Sequence, residues 1–215
     1  MADYHDDFLM IGGGLTAATA VRQLLLAGQQ DGIGVLAEEK AAPYDRQPLS
    51  KEFLLGELDR DKVFLLTEAF CQEHGVGLHL GNPAVSLDTT AHLVTAADGS
   101  RFTYGKLLIA SGCHLRRLTI PGSELPGLFY LRTLEESEAL RAATTEARQA
   151  VVIGGGFIGL EVASVLAQLG LSVSIIHHSD RLFEKFASDE ISTFFEELFA
   201  GHGVHMIYND EAVQL

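Results

Sequence analysis

Ile11-Gly12-Gly13-Gly14-Leu15-Thr16-Ala17 and Ile153-Gly154-Gly155-Gly156-Phe157-Ile158-Gly159 are two versions of one pattern within a chain of 215 residues. Each follows a short apolar run, Phe8 to Ile11 and Val151 to Ile153, of the kind a buried parallel strand shows. Each leads into apolar residues at helical spacing: Ala17, Ala20, Val21 and Leu24 in the first copy, and Ile158, Val162, Val165, Leu166 and Leu169 in the second. Strand, glycine turn and helix are therefore predicted twice. In such a turn the first glycine permits the tight bend, the second lets backbone approach a pyrophosphate, and a third small residue lets helix pack on strand. Ala17 fills that third place in the first copy. One match would be a weak signal, because turn glycines are common; two in the same context point to two bound dinucleotides.

Outward from the first turn, Asp7 to Ala37 reads as a βαβ unit with its second strand at Ile33 to Ala37. A loop with Pro43 and Pro48 follows, then short segments around Val63 to Leu66, a helix near Glu68 to His74, and strands near Gly77 to Leu80 and Ala84 to Asp88. His92 to Thr95 and Arg101 to Tyr104, split by Asp98-Gly99, read as a hairpin, and Lys106 to Ala110 as a separate strand. Pro121-Gly122 and Pro126-Gly127 punctuate a crossing segment. The expected division is 1–118 and 119–215. A helix at about Thr133 to Thr145 precedes the second unit, which continues through a strand at Ser172 to His177, a helix near Ser188 to His202 and a strand at Val204 to Tyr208. The fold class expected is α/β: two Rossmann-like, three-layer dinucleotide-binding domains, the first with an inserted β-hairpin or meander.

Composition narrows the function classes. With 15 basic against 29 acidic residues, the net charge of −14 disfavours both nucleic acid and anionic membrane as partners. No apolar stretch reaches membrane-spanning length, since the candidate from Ala150 onward is broken by glycines and then by Glu161. The acidic start Met1-Ala-Asp-Tyr-His-Asp-Asp lacks the basic character of a targeting signal, and a cytoplasmic location is expected. Cys71 and Cys113 form neither a disulfide framework nor a metal-binding spacing, and no metal is expected.

The two units differ at the tip of the second strand, where an acid about 20 residues past the glycine turn is expected to hold a ribose. Glu38 and Glu39 meet that need in the first unit. In the second the tip is His177, followed by His178, Ser179, Asp180 and Arg181. An imidazole does not accept two ribose hydroxyls as a carboxylate does, and His177 with Arg181 could tolerate a 2′-phosphate, which favours acceptance of NADP.

The run Pro43-Tyr44-Asp45-Arg46-Gln47-Pro48-Leu49-Ser50-Lys51, both glycine turns, Leu131-Arg132-Thr133 and the continuation Leu160-Glu161 together resemble the FAD-dependent ferredoxin reductases that serve oxygenase and P450 systems, relatives of apoptosis-inducing factor. The resemblance covers essentially the whole chain. It implies FAD in the first unit and NAD(P)H in the second. Gly12, Gly14, Leu15, Thr16 and Ala17 would then sit against the FAD pyrophosphate, Glu38 on its ribose, Arg46 along the adenine side, and Ala84 against the adenine through backbone. Ser111, Gly112 and Arg132 would line the cofactor where the two domains meet. Gly154, Gly156, Phe157, Ile158 and Gly159 would receive the nicotinamide nucleotide, with His177 and Arg181 at its ribose. Lys51 matches the family lysine beside the flavin, and Glu161 the glutamate that pairs with it; both are expected to be catalytic.

The function implied is that of an oxidoreductase passing a hydride from NAD(P)H to FAD and then single electrons to an iron–sulfur acceptor such as ferredoxin, or to rubredoxin. Arg116, Arg117, Arg141 and Arg148 are candidates for a basic docking patch. A disulfide or peroxide reductase of the same fold is the enzymatic rival, but it needs redox cysteines that the segment after Glu38 does not carry. A second rival is a binding module without turnover, because ferredoxin reductases continue past this length to complete the FAD domain and add an interface domain.

Overall fold

The computed structural model describes residues 2–185 and 187–215. The chain divides into two compact units, residues 1–46 with 60–114, and 47–59 with 115–215.

The first unit holds strands β1 (Asp3–Ile11), β2 (Ile33–Leu36), β3 (Val76–His79), β4 (Ala84–Asp88), β5 (Leu93–Ala96) and β6 (Arg101–Ile109) in one sheet, ordered β3-β2-β1-β6-β5-β4. Strands β1, β2, β3 and β6 run parallel, while β4 and β5 add an antiparallel meander. Helix α1 (Leu15–Leu26) buries Ala17, Ala18 and Val21 in a core with Met10, Ile33 and Val35. Those small residues on its inner face are what let it lie close to the sheet. The opposite core gathers Leu9, Leu36, Val94, Phe102 and Tyr104.

Two features of this sheet differ from the sequence-based expectation. Arg101 to Ile109 is one continuous strand, where two separate strands, Arg101 to Tyr104 and Lys106 to Ala110, were expected. Gly105, between them, serves close approach, since a Cβ there would stand 2.9 Å from the Asp7 carbonyl oxygen. Strand β1 also begins at Asp3, not Asp7, because β6 pairs with it from Arg101 onward. The run Asp3 to Asp7 is mostly exposed, so no apolar alternation marked it; Asp6 is its buried member. The Asp6 carboxylate lies where a side chain on Gly34 would be, and burial pushes its pKa upward.

The second unit holds β7 (Gln149–Ile153), β8 (Ser172–Ile176) and β9 (Val204–Ile207), parallel and ordered β7-β8-β9. Around them lie a short helix α2 (Glu52–Leu55), α4 (Leu134–Thr144), α5 (Phe157–Gln168) and α6 (Asp189–Gly201); helix α3 (Glu68–Glu73) belongs to the first unit. Thr133 caps α4 and Glu136 returns the bond, a capping box written in the sequence as Thr133-Leu134-Glu135-Glu136. The segment 47–59 reads as proline-punctuated loop, yet it forms a 3-10 turn and α2. Its attachment to this unit has a physical cause. Leu54 is fully buried with Leu160, Val162 and Leu166, a burial contributing about 2 kcal/mol for such a side chain. The Ser137 hydroxyl donates to the Leu49 carbonyl at 2.7 Å, and the Arg141 guanidinium to the Phe53 carbonyl at 3.3 Å.

The α/β class, with predominantly parallel sheets and a meander in the first unit, is thus what the chain adopts. Among the described residues, no helix is long and apolar enough to cross a membrane.

Candidate functional site

Each glycine turn is built by the same hydrogen bonds. Gly12 N–H donates to the Leu36 carbonyl at 2.8 Å, and Gly154 N–H to the Ile176 carbonyl at 2.9 Å. Both glycines hold φ in the region that side chains disfavour, +118° for Gly12 and +105° for Gly154. A Cβ on Gly12 would also stand 2.2 Å from the Ala110 carbonyl oxygen, because β6 flanks β1 there. Gly159 is the third small residue of the second turn, and a Cβ on it would lie 2.0 Å from the Gly154 carbonyl oxygen. Ala17, its counterpart, is fully buried.

The helices that follow, α1 and α5, each span 12 residues and start at a glycine N-cap with no side-chain cap. A Cβ on Gly14 or Gly156 would meet nothing within 4 Å. Each turn is therefore an open cradle at a helix N-terminus, where backbone donors and the helix dipole favour an anion. Leu15, Thr16, Phe157 and Ile158 are exposed beside these cradles.

At the first strand tip Glu38 is exposed. Glu39 is already engaged, accepting from the Tyr44 hydroxyl and from Arg46, whose guanidinium also donates to the Tyr44 hydroxyl at 2.9 Å. Arg46 is thus fixed by Glu39 and lies over the Tyr44 ring, 5.0 Å from its centroid. Sequence spacing gave no sign of this triad. Ala84 is half-buried at the start of β4, while Ser111 and Gly112 are exposed past the end of β6. In the second unit the backbone N–H of Arg132 donates to the Glu136 carboxylate at 2.8 Å.

Lys51 and Glu161, 110 residues apart in the chain, meet. The Lys51 ammonium is 3.0 Å from one Glu161 oxygen, and the Ser50 hydroxyl donates to the other at 2.6 Å. Lys51 Nζ also donates to the Gln47 carbonyl at 3.2 Å. Ser50 is buried and was not singled out from sequence; a serine beside a lysine carries no spacing signal. With side chains 44% and 32% exposed, the Lys51–Glu161 pair contributes at most about 1 kcal/mol to stability. A cavity of about 440 Å³ opens against this pair, walled by Phe157, Leu160, Phe183, Phe195 and Phe199.

The second strand tip departs from expectation. His177 is 7% exposed, and its Nδ1 accepts the Gly155 N–H at 3.2 Å. It does not stand outward at a ribose position, as its place at the strand end had suggested. Instead, its ring lies directly beneath the glycine turn, 3.1 Å from where a Gly155 Cβ would be. Arg181 is similarly occupied. Its guanidinium donates to the carbonyls of Ala187 and Glu184, each at 3.1 Å, to the Ser192 hydroxyl at 2.9 Å, and pairs with Asp189 at 3.1 Å. Four of its five N–H groups are used, two on Asp189 and Ser192 of α6 and two on carbonyls of the loop before it, so the expected 2′-phosphate contact is not supported by its geometry.

Burial pushes the His177 and His79 imidazoles below the ordinary histidine range, with His178 adding to the effect at His177. Both rings therefore favour the neutral form when folded. The unfolded chain takes up their protons first, so their contribution is fully present above about pH 6.5 and is lost as pH falls below it. Asp6 acts in the opposite sense, its raised pKa relieving strain only in the acid range. The melting temperature should fall between pH 7.5 and 5.5, and His177→Gln should flatten that fall; a slope unchanged in His177→Gln would contradict the assignment.

Cys71 is buried and its thiol is pushed up to about 11, chiefly by burial; Cys113 is exposed, and both are free. Disulfide exchange requires a thiolate, which a thiol like Cys71 does not provide near neutral pH.

A model of the family described as pyridine nucleotide-disulphide oxidoreductase matches residues 6–215. The chain belongs to that family. Within it, the chain is 40% identical over 203 residues to the 5,5'-dehydrodivanillate O-demethylase ferredoxin reductase subunit of Sphingobium sp., covering 93% of this chain and 48% of that protein. It is 35% identical to a rubredoxin-NAD(+) reductase of Pseudomonas putida, covering 91% of this chain and 51% of that protein. Among solved structures, a ferredoxin reductase from Rhodopseudomonas palustris superposes with a TM-score of 0.87 at 34% identity, over 98% of this chain and 52% of the other. The reductase of a covalent putidaredoxin reductase–putidaredoxin complex superposes with a TM-score of 0.89 at 27% identity, over 97% and 50%. The chain thus spans about half the length of the relatives it matches. The family name refers to disulphide chemistry, but this member carries no cysteine pair close in sequence.

Proposed function

We propose that this chain supplies the FAD-binding and NAD(P)H-binding parts of a flavoprotein oxidoreductase that passes a hydride from NAD(P)H to FAD, then single electrons to a ferredoxin- or rubredoxin-type acceptor. The observation that carries this reading is the duplicated cradle: two glycine turns closed by equivalent hydrogen bonds, each opening a helix with an uncapped N-terminus. A diphosphate anion suits that donor set at both places.

The first unit would hold FAD. Gly12, Gly14, Leu15, Thr16 and Ala17 frame its pyrophosphate, and exposed Glu38 has the chemistry to accept ribose hydroxyls. Arg46, locked to Glu39 and Tyr44, would form a rigid edge for the adenine end. Ala84, Ser111 and Gly112 would complete the lining within this unit. The second unit would hold the nicotinamide nucleotide at Gly154, Gly156, Phe157, Ile158 and Gly159.

When bound, the flavin supplies the conversion from two-electron hydride chemistry to one-electron transfer. The residues contribute orientation and charge. Glu161, held by the Ser50 hydroxyl on one oxygen, fixes the Lys51 ammonium with the other. A cation held in this way favours negative charge developing nearby. Phe157 and Phe183, with ring centroids 5.3 Å apart, line the adjoining cavity with apolar surface against which a planar ring could pack.

The acceptor class rests on the relatives' own names, which are those of ferredoxin and rubredoxin reductases. Of the candidate docking arginines, Arg141 is committed to the Phe53 carbonyl and ring, and Arg117 lies over Tyr130 and 3.8 Å from Glu136. Arg116 and Arg148 are exposed. The absence of a membrane-crossing helix among the described residues fits a cytoplasmic electron-transfer component. Purified protein reconstituted with FAD should retain the yellow chromophore through gel filtration. Protein that stays colourless yet binds nucleotide would favour a module without turnover.

A further inference from the structure

The loop that follows the second strand of each βαβ unit has the same backbone hydrogen bonds in both, and this sets an internal register. Ala37 N–H donates to the His79 carbonyl at 2.9 Å as His177 N–H does to the Ile207 carbonyl at 2.8 Å. The Ala37 carbonyl accepts from Asn82 N–H at 3.0 Å, and that of His177 from Asp210 N–H at 3.2 Å. The Glu39 carbonyl accepts from Gly81 N–H at 2.9 Å, and that of Ser179 from Asn209 N–H at 3.1 Å. His177 therefore takes the place of Ala37, each lying beneath the middle glycine of its turn. By the same register His178 takes the place of Glu38, Ser179 that of Glu39, and Asp180 that of Lys40. Glu38 and His178 are both exposed.

Building on the pyridine-nucleotide reading of the second unit, we infer that His178, not His177, is the residue at which this unit discriminates between nucleotides, and that it selects the 2′-phosphorylated form, NADPH. A carboxylate at this place accepts the ribose hydroxyls and repels a phosphate; an imidazole removes that repulsion and offers an N–H donor. The Ser179 hydroxyl, next in the chain, is a second donor at the same tip. His178 is held in position by edge contact with the buried His177 ring, 4.9 Å between centroids at an interplanar angle of 66°. Arg181, the nearby cation that sequence reading had favoured for the phosphate, is consumed by its contacts around α6.

The test is calorimetric titration of the protein with adenosine 2′,5′-bisphosphate and adenosine 5′-monophosphate, then NADPH and NADH, for wild type, His178→Glu and Asp180→Asn. Wild type should prefer each 2′-phosphorylated ligand by about tenfold or more, the size of a charge-assisted hydrogen bond. His178→Glu should abolish that preference, weakening the 2′-phosphorylated ligands while adenosine 5′-monophosphate and NADH, whose ribose hydroxyls the new carboxylate accepts, bind at least as tightly as before. Because His178 is exposed, this change leaves the core intact. Equal wild-type affinities, or a preference that survives His178→Glu, would overturn the inference. A preference that moves only with Asp180→Asn would overturn it in favour of that acid. If wild type binds none of the four ligands, the inference falls together with the nucleotide-site reading; binding of all four without discrimination removes His178 alone.

Discussion

Gly12→Ala is expected to destabilise the first unit by about 3–5 kcal/mol, the range reached when backbone strain and an unrelievable clash coincide. Two independent costs act. The residue holds φ at +118°, which an alanine adopts only at a penalty of about 1–2 kcal/mol. The added methyl would also stand 2.2 Å from the Ala110 carbonyl oxygen, and a backbone atom within a paired sheet does not swing aside as a side chain does. Gly14→Ala is the internal control. Its backbone is extended, with φ at −103°, and a Cβ there meets nothing within 4 Å. That methyl would project into the cradle, so the fold should survive while FAD affinity falls. Thermal unfolding should show a drop of about 10 °C or more for Gly12→Ala and less than about 3 °C for Gly14→Ala. Equal effects from the two changes would remove the steric basis assigned to the turn.

The second large effect is kinetic. Lys51→Ala should slow flavin reduction by NADPH by about 10- to 100-fold, the scale on which misplacement of a reacting group is felt. Nucleotide affinity should stay within about threefold, because the ammonium bonds to Glu161 and the Gln47 carbonyl rather than to the backbone of the glycine turn. Glu161→Gln should give an intermediate loss, since an amide keeps a contact with Ser50 but no longer fixes the cation by charge. The pair is weak as a source of stability, so neither variant should melt more than a few degrees below wild type. Stopped-flow rates unchanged in Lys51→Ala would refute the catalytic assignment.

Much of the fold could be read from sequence because its signals are local. A glycine with positive φ at a strand end, a small residue five positions later and a helical apolar stripe are imposed by the turn itself, and Gly12 with Ala17 and Gly154 with Gly159 display them. The capping box at Thr133 and Glu136 is equally local. What stayed hidden depends on partners distant in sequence. Arg101 to Tyr104 and Lys106 to Ala110 read as two strands until Gly105 is placed beside Asp7. The proline-rich run before Lys51 shows no helical period, and its structure comes from burying Leu54 among residues more than 100 positions later. Pairing of Lys51 with Glu161 could be anticipated only through family resemblance. His177 misled for a related reason: position at a strand tip does not say whether a side chain points to solvent or folds beneath the turn. Only the matching hydrogen bonds of Ala37 and His177 set His178 in register with Glu38.

The most direct test of two dinucleotide cradles acting together is anaerobic addition of NADPH to the FAD-reconstituted protein while its absorbance near 450 nm, typical of oxidised flavin, is followed. Bleaching of that band by about one equivalent of NADPH, with colour restored by an added ferredoxin or rubredoxin, is the result expected. A flavin that stays oxidised although NADPH is shown to bind would contradict it.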